Sequence, residues 1–270
     1  MFNAVRTNLK GDGKRRKITR FVVIYTKKQI KRLRKNATVF FAYKRHKNTT
    51  NCKKEQGRYA FMQTIEFQNK PKIIATGTVA GPKECAGIVG KYVDKTLMDD
   101  MYGESTYEKA ECKMLAFAIS QTIANAAVKE KDVDMLISGD LLNQIISASF
   151  AARDFEFPFL GVYSACSTMS ESMAIGAAFI NAGYAKKIVA ATGSHFSSAE
   201  RQYRYPLELG NTRPPQSQWT VTGAGGVMLA DSGSDIAITH ATFGKVVDFG
   251  ITDVNNMGAA MAPYIGIIGI

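Results

Sequence analysis

From residue 72 onward, the chain switches repeatedly between short apolar runs and amphipathic stretches. KIIATGTVAGP (72–82) is an apolar run closed by a Gly-Pro pair, the pattern of a strand ending in a turn. Between 104 and 130, Met114, Leu115, Ala118, Ile119, Ile123, Ala126 and Ala127 recur at helical spacing with polar residues opposite, which predicts an amphipathic helix. DMLISGD (134–140) predicts a short buried strand and 142–153 a helix. PFLGVYSA (158–165) predicts a strand, 168–182 a helix and KKIVAATGSH (186–195) another strand. The order β-α-β-α-β implies a parallel sheet with right-handed crossovers. After a loop at NTRPPQS (211–217), WTVTGAGGVMLADS (219–232) and IAITHATFGKVVDFG (236–250) predict two longer antiparallel strands.

The stretch 168–182 departs from the amphipathic pattern. It carries Ser170, Ser172, Ala174, Gly176, Ala177, Ala178 and Ala182, and Glu171 is its one charge. A helix that is small and apolar all round is buried all round. We therefore expect it to lie between two sheets, the second supplied by another domain or chain. The closing MGAAMAPYIGIIGI (257–270) has no closing helix or charged tail and reads as a truncated or frame-shifted terminus.

Charge divides the chain in two. The 270 residues carry a formal net charge of +12. Residues 1–60 account for +17 and residues 61–270 for −5. The first segment holds KGDGKRRK, KKQIKRLRK and YKRHK without a clear period. One functional reading is an arm that binds nucleic acid or anionic lipid. The preferred expectation is that 1–61 is a disordered or non-native segment and that Met62 is the true start, because the fold pattern begins just after it. The domain from 62 to 270 is mildly acidic, so no nucleic-acid partner is expected of it. Cysteines at 52, 85, 112 and 166 form no C-x-x-C pair and suggest reduced thiols. No run reaches the roughly 18 apolar residues of a membrane span. The expected placement is cytoplasmic or peripheral to a membrane.

Three polar groups end three successive strands: Asp140 with Asn143 and Gln144, then Cys166, then His195. In a parallel sheet these fall on one carboxyl edge, where open α/β sheets bind ligands. Cys166, in SACST, sits between a strand and a helix N-terminus, a place that favours a thiolate or a bound anion. A buried packing cysteine is the alternative. His195 suits a base or an anion donor, or a satisfied loop histidine. Asp140 suits a ligand contact or an N-cap. Thr168 and Glu171 fit a T-x-x-E capping box, which makes Glu171 a cap and not an acid catalyst. Arg201, Tyr203 and Arg204 offer forked hydrogen bonds to carboxylates, or a solvated face. TGAGG (222–226) precedes a strand and lacks the strand-then-helix context of a phosphate loop, so it predicts close backbone packing. Neither a metal site nor a cofactor is expected.

GTVAGPKE, SGDLLNQ, YSACSTMSES, ATGSHFSSAERQYRYP, TVTGAGGVM and GKVVDFGITDVNNMGAAMAP occur in that order. Together they resemble the stage V sporulation protein AD family of the thiolase-like superfamily, over about residues 63–263. The resemblance implies the amino-terminal βαβαβ half of a thiolase-like α/β fold, with the second half absent. It implies binding of dipicolinic acid (pyridine-2,6-dicarboxylate) during spore formation and its release at germination. The implied partners are other proteins of the same operon, membrane channel components among them, with homo-oligomer contacts as in thiolases. The implied location is the cytoplasm or the periphery of the spore inner membrane. The superfamily resemblance also implies a nucleophile at Cys166, as in ketoacyl synthases, whose remaining catalytic groups come from the carboxyl half. For a binder, the expected ligand-contacting set is Asp140, Asn143, Cys166, Ser167, His195 and Arg201, with the helix N-terminus at Ser167–Met169 supplying amide donors. The alternative is an acyltransferase using Cys166.

Overall fold

In the computed structural model, residues 64–141, 143–200, 220–243, 250 and 252 are described. In chain order the strands are β1 (Thr64–Glu66), β2 (Lys72–Ala80), β3 (Lys95–Thr96), β4 (Met135–Asp140), β5 (Phe159–Gly161), β6 (Lys187–Ser194), β7 (Gly223–Ala230) and β8 (His240–Thr242). The helices are α1 (Pro82–Ala86), α2 (Tyr107–Ala126), α3 (Ile146–Ala152), α4 (Thr168–Asn181) and α5 (Phe196–Glu200).

Six strands form one sheet in the order β3-β2-β7-β6-β4-β5. β6, β4 and β5 are parallel neighbours, as the alternating pattern predicts. The sheet is nonetheless mixed: β7 lies between β2 and β6 and runs antiparallel to both. The last two strands do not form a hairpin. β8 pairs antiparallel with β1, a three-residue strand too short to leave a periodic signal. The Phe67 N–H donates to the Thr239 carbonyl at 2.8 Å and the Ile73 N–H to the Ile236 carbonyl at 2.9 Å, so residues 236–242 run back along the start of β2. The predicted continuation beyond 243, the 211–217 loop and the basic segment 1–61 lie outside the described residues, apart from Gly250.

Both faces of the sheet are buried, which explains why its strands read as apolar runs and not as alternations. On one face Val79, Leu136, Val189 and Met228 pack with Met114, Leu115 and Ile119 of α2 and Ala148 and Ala151 of α3. On the other, Ile137, Ile188, Val227 and Leu229 pack with Met173, Ala174, Ala177 and Ile180 of α4. Each fully buried aliphatic side chain contributes about 1.5–3 kcal/mol of transfer free energy.

α2 starts at Thr106, whose Oγ1 accepts the Lys109 N–H at 3.2 Å, and stops at Ala127, a left-handed residue with φ 54°. It sits unusually close to the sheet. A Cβ built on Gly77 would come 2.5 Å from the Thr122 amide nitrogen, and one on Gly226 would come 2.4 Å from Thr122 Oγ1. Gly77 and Gly226 are cross-strand partners. The TGAGG segment thus provides the close backbone packing expected of it. α4 keeps its small face on the sheet, where a Cβ on Gly176 would come 2.8 Å from Leu229 Cδ1. Met169, Ile175, Ala178 and Phe179 on α4 are half-buried.

Candidate functional site

β4, β5 and β6 are adjacent and parallel, so Asp140, Cys166 and His195 do follow the carboxyl ends of neighbouring strands. Their side chains have different environments. Cys166 and Ser167 are exposed, whereas Asp140, Asn143 and His195 are buried. Arg201, Tyr203 and Arg204 lie outside the described residues.

The turn entering α4 carries Cys166. Residues Ala165–Ser167 make a single 3-10 turn, and Ala165 adopts φ 45°, a left-handed conformation that costs a non-glycine residue about 1–2 kcal/mol. The Ser167 N–H donates to the Ser164 carbonyl at 2.9 Å. The Thr168 N–H donates to the Ala165 carbonyl. Two of the amides expected to meet an anion are therefore already used within the turn. Ser164 and Ser167 present hydroxyls 2.7 Å apart at the exposed surface.

Although the Cys166 side chain reaches the surface, the protein gathered around its sulfur pushes the thiol up from its ordinary range. The thiol's own backbone N–H pulls the other way and does not prevail. The thiolate expected from the helix terminus is not favoured here. The capping box is also absent. Thr168 lies inside the helix and its hydroxyl donates to the Ala165 carbonyl at 2.8 Å. Glu171 Oε2 is buried without a hydrogen-bond partner among the described residues, and burial pushes its carboxyl up.

His195 has its ring wholly enclosed. The Ser197 N–H lies 3.1 Å from Nδ1, which must accept because an amide can only donate. The ring proton therefore sits on Nε2 and is donated to the Asp100 carbonyl at 2.8 Å. Burial holds the imidazole pKa below its usual value, so the ring is neutral near pH 7. Tyr107 and Phe196 pack against it, with ring centroids at 4.8 and 5.1 Å. Both nitrogens are occupied, so His195 fastens the loop at Asp100 to the end of β6 and has no nitrogen left for a ligand.

Beneath this edge lies a polar cluster whose central member, Glu111, is not apparent from sequence. Glu111 occupies the sheet-facing side of α2 and is 1% exposed. Ser198 Oγ donates to Glu111 Oε2 at 2.7 Å and also lies 3.2 Å from the His195 carbonyl. Ser147 hydrogen-bonds Glu111 from α3, and Asn143 Nδ2 donates to Ser147 Oγ at 2.7 Å. Burial pushes the Glu111 carboxyl up to about 7, with the charge of Asp140 adding to the rise. Asp140 is 0% exposed and neither carboxyl oxygen has a partner in hydrogen-bonding geometry among the described residues. Burial raises its pKa too, opposed by the backbone amides of Ile145, Asn143, Ala148 and Ser147 around it. Asp140 therefore faces the amides that open α3 without serving as its N-cap, which is Ile145. The one available sequence signal for Glu111 was a charged residue at a core position of an otherwise regular helical stripe.

The cluster and the Cys166 turn adjoin. Thr168 Oγ1 lies 3.5 Å from the Asp140 carbonyl. A Cβ on Gly139 would come 2.0 Å from the Val162 carbonyl and 2.8 Å from Thr168 Cγ2, so only glycine on β4 lets Val162 and the start of α4 approach this closely. Among the described residues no group of three His, Cys, Asp or Glu side chains is placed to hold a metal ion. Cys85, Cys112 and Cys166 are free thiols. No helix among those residues is long and apolar enough to cross a membrane.

Comparison with known proteins gives a family match. The family model described as stage V sporulation protein AD (SpoVAD) matches residues 61–266. Stage V sporulation protein AD of Bacillus subtilis (strain 168) is 42% identical over 201 residues, covering 74% of this chain and 60% of that protein. The chain thus spans 60% of the length of the curated relative it matches. Among solved structures, 3-oxoacyl-[acyl-carrier-protein] synthase III from Aquifex aeolicus VF5 matches with a TM-score of 0.38 and 19% identity, over 61% of this chain and 55% of that one. Xanthomonas campestris OleA H285N matches with a TM-score of 0.43 and 11% identity, over 61% of this chain and 57% of that one.

Proposed function

The chain belongs to the stage V sporulation protein AD family, and from that premise we propose that it binds dipicolinic acid without turning it over. The ligand would sit at the mouth formed by the Cys166 turn and the carboxyl ends of β4 and β6. One observation carries the non-enzymatic reading: Cys166 is reachable but not activated. Burial pushes its thiol up, and His195, at the end of β6, has both nitrogens engaged. A nucleophilic cysteine needs a lowered pKa or an adjacent free base. The mouth instead offers the paired Ser164 and Ser167 hydroxyls, which can reorient toward a carboxylate. Dipicolinate would be taken up in spore formation and released at germination. Proteins of the same operon, membrane channel components included, would be the partners, at the spore inner membrane or in the cytoplasm. Contacts between copies of the chain belong to the same proposal.

A second reading has its own support. The exposed cysteine on a strained strand-to-helix turn, with Ala165 at φ 45°, is the placement an acyl-accepting thiol would need. Two measurements separate the readings. Equilibrium dialysis with pyridine-2,6-dicarboxylate is expected to show saturable binding. Incubation with acyl-CoA followed by mass spectrometry is expected to show no adduct, and iodoacetamide at pH 7 to label Cys166 more slowly than free cysteine. A covalent adduct that Cys166→Ser abolishes, with no dicarboxylate binding, would establish the acyltransferase in place of the binder.

A further inference from the structure

β5 gives up its ladder at Val162, whose N–H donates to the Ser138 carbonyl at 3.0 Å, and α4 starts at Thr168. Residues 163–167 between them make the turn that carries Cys166. Two of these residues have backbone angles that neither helix nor strand uses. Ser164 sits at φ −144°, ψ 32°, and Ala165 at φ 45°. A non-glycine residue in the left-handed region persists only when its surroundings hold it there.

The holding group is the Thr168 hydroxyl. Its Oγ1 accepts the Ser164 N–H at 3.2 Å and donates to the Ala165 carbonyl at 2.8 Å, with the Asp140 carbonyl at 3.5 Å as a second acceptor. One oxygen therefore ties both residues with unusual angles. A hydroxyl can accept from an amide and donate to a carbonyl at once, and a methyl can do neither. Thr168 is 1% exposed, and the absence of a side chain on Gly139 makes room for it. Valine in its place would fill the same volume and leave no space for a water to replace the lost oxygen. The groups that face the mouth hang from the backbone so held. Ser164 Oγ lies 2.7 Å from Ser167 Oγ, and Ser167 Oγ donates to the Ser164 carbonyl at 2.7 Å.

Resting on the dicarboxylate-binding reading above, we propose that Thr168 is a positioning residue: without touching the ligand, its buried hydroxyl clamps the turn in the conformation in which Ser164, Cys166 and Ser167 receive a carboxylate. Without that hydroxyl the turn relaxes toward ordinary backbone angles. The Ser164–Ser167 pair then separates, and the Cys166 sulfur loses the protein gathered around it. One deletion thus weakens binding and makes the thiol more reactive, because a less enclosed thiol ionises more readily. Serine keeps the clamp; valine keeps the shape and loses it.

The test compares Thr168→Val and Thr168→Ser with the unsubstituted full chain, after urea unfolding has shown each to be folded under the assay conditions. In equilibrium dialysis, Thr168→Val is expected to bind pyridine-2,6-dicarboxylate about tenfold more weakly, and Thr168→Ser within about twofold of the parent. With iodoacetamide at pH 7, followed by peptide mapping, Thr168→Val is expected to label Cys166 at least about threefold faster and Thr168→Ser at the parent's rate. Parental affinity and labelling in Thr168→Val overturn the clamp. Equal impairment in both variants also overturns it, since the methyl's packing and not the hydroxyl would then be what matters. If the parent binds no dicarboxylate, the binding reading fails by itself. The labelling rates still decide whether the hydroxyl sets the turn. Should Thr168→Val fail to fold, amide hydrogen exchange in the unsubstituted chain decides. The Ser164 N–H is expected to exchange at least about tenfold more slowly than in an unfolded peptide, and an unprotected Ser164 amide overturns the clamp.

Discussion

His195 shows how a residue's surroundings redirect its chemistry. An imidazole at the end of a strand, in a glycine-and-serine segment, has the sequence context of a base or an anion donor. Enclosure by Tyr107 and Phe196, and the use of both nitrogens by Ser197 and Asp100, turn it into a fastening. His195→Ala is therefore expected to act on stability first. It orphans the Asp100 carbonyl and leaves a void, and urea unfolding should show a loss of about 1–3 kcal/mol. If stability is unchanged while dicarboxylate affinity collapses, the ring touches ligand after all. Glu171 gives the same lesson in reverse. Its T-x-x-E spacing is right for a cap, but the helix begins one residue too early for Thr168 to serve as one.

The elements most legible in the sequence are those with long periods or compact apolar runs. α2 spans Tyr107–Ala126 within the predicted 104–130, and α4 spans Thr168–Asn181 within 168–182. β4 and β6 also fall where their apolar runs stand. What escaped is pairing. A strand's residues record how deeply it is buried but not which neighbour it has, so β7's insertion between β2 and β6 left no mark. β1 and β8, three residues each, offer too few positions for any period. The glycines of β7 gave the clearest element-level clue, and they separate by position. Gly226→Ala would drive a methyl into Thr122, whereas a Cβ on Gly225 meets nothing within 4 Å. We expect Gly226→Ala to lose about 1–3 kcal/mol through overpacking, and Gly225→Ala to stay within about 0.5 kcal/mol of the parent. Chemical denaturation of the two variants side by side makes the comparison. Equal losses would mean that α2 does not seat on the Gly77–Gly226 pair.

For the whole molecule, two buried titratable groups pull the pH dependence of stability in opposite directions. Glu111 has a raised folded-state pKa, so the unfolded chain gives up its proton first. Its contribution is complete below the ordinary 4.5 and is lost as pH rises through about 7. A shift of that size corresponds to about 3 kcal/mol. His195 has a lowered folded-state pKa, so its contribution is present above the ordinary 6.5 and is lost as pH falls below it. The parent should therefore show a muted profile between these values, with Glu111→Gln gaining a rising limb toward neutral pH. Thermal melts across pH 4–8 read this directly, and a Glu111→Gln profile parallel to the parent's would rule out a buried, raised carboxyl. The net charges of +17 over residues 1–60 and −5 over 61–270 add only a screened background to these local effects.

The central place of β7 governs the order in which the sheet can assemble. Gly77 and Gly226 stand opposite each other although 149 positions separate them in the chain. β2 and β6 share no hydrogen bonds in the sheet; β7 is the bridge between them. Until residues 223–230 arrive, the growing polypeptide holds two unfinished pieces, β2 with β3 and β6 with β4 and β5, each showing an open ladder of amides and carbonyls. Open ladders invite pairing with other chains, and closing so long a loop is slow. Among the described residues, the last strand of the sheet to leave the ribosome is thus the one that joins its two parts, and a chaperone guarding the nascent protein would have its greatest effect just before that strand emerges.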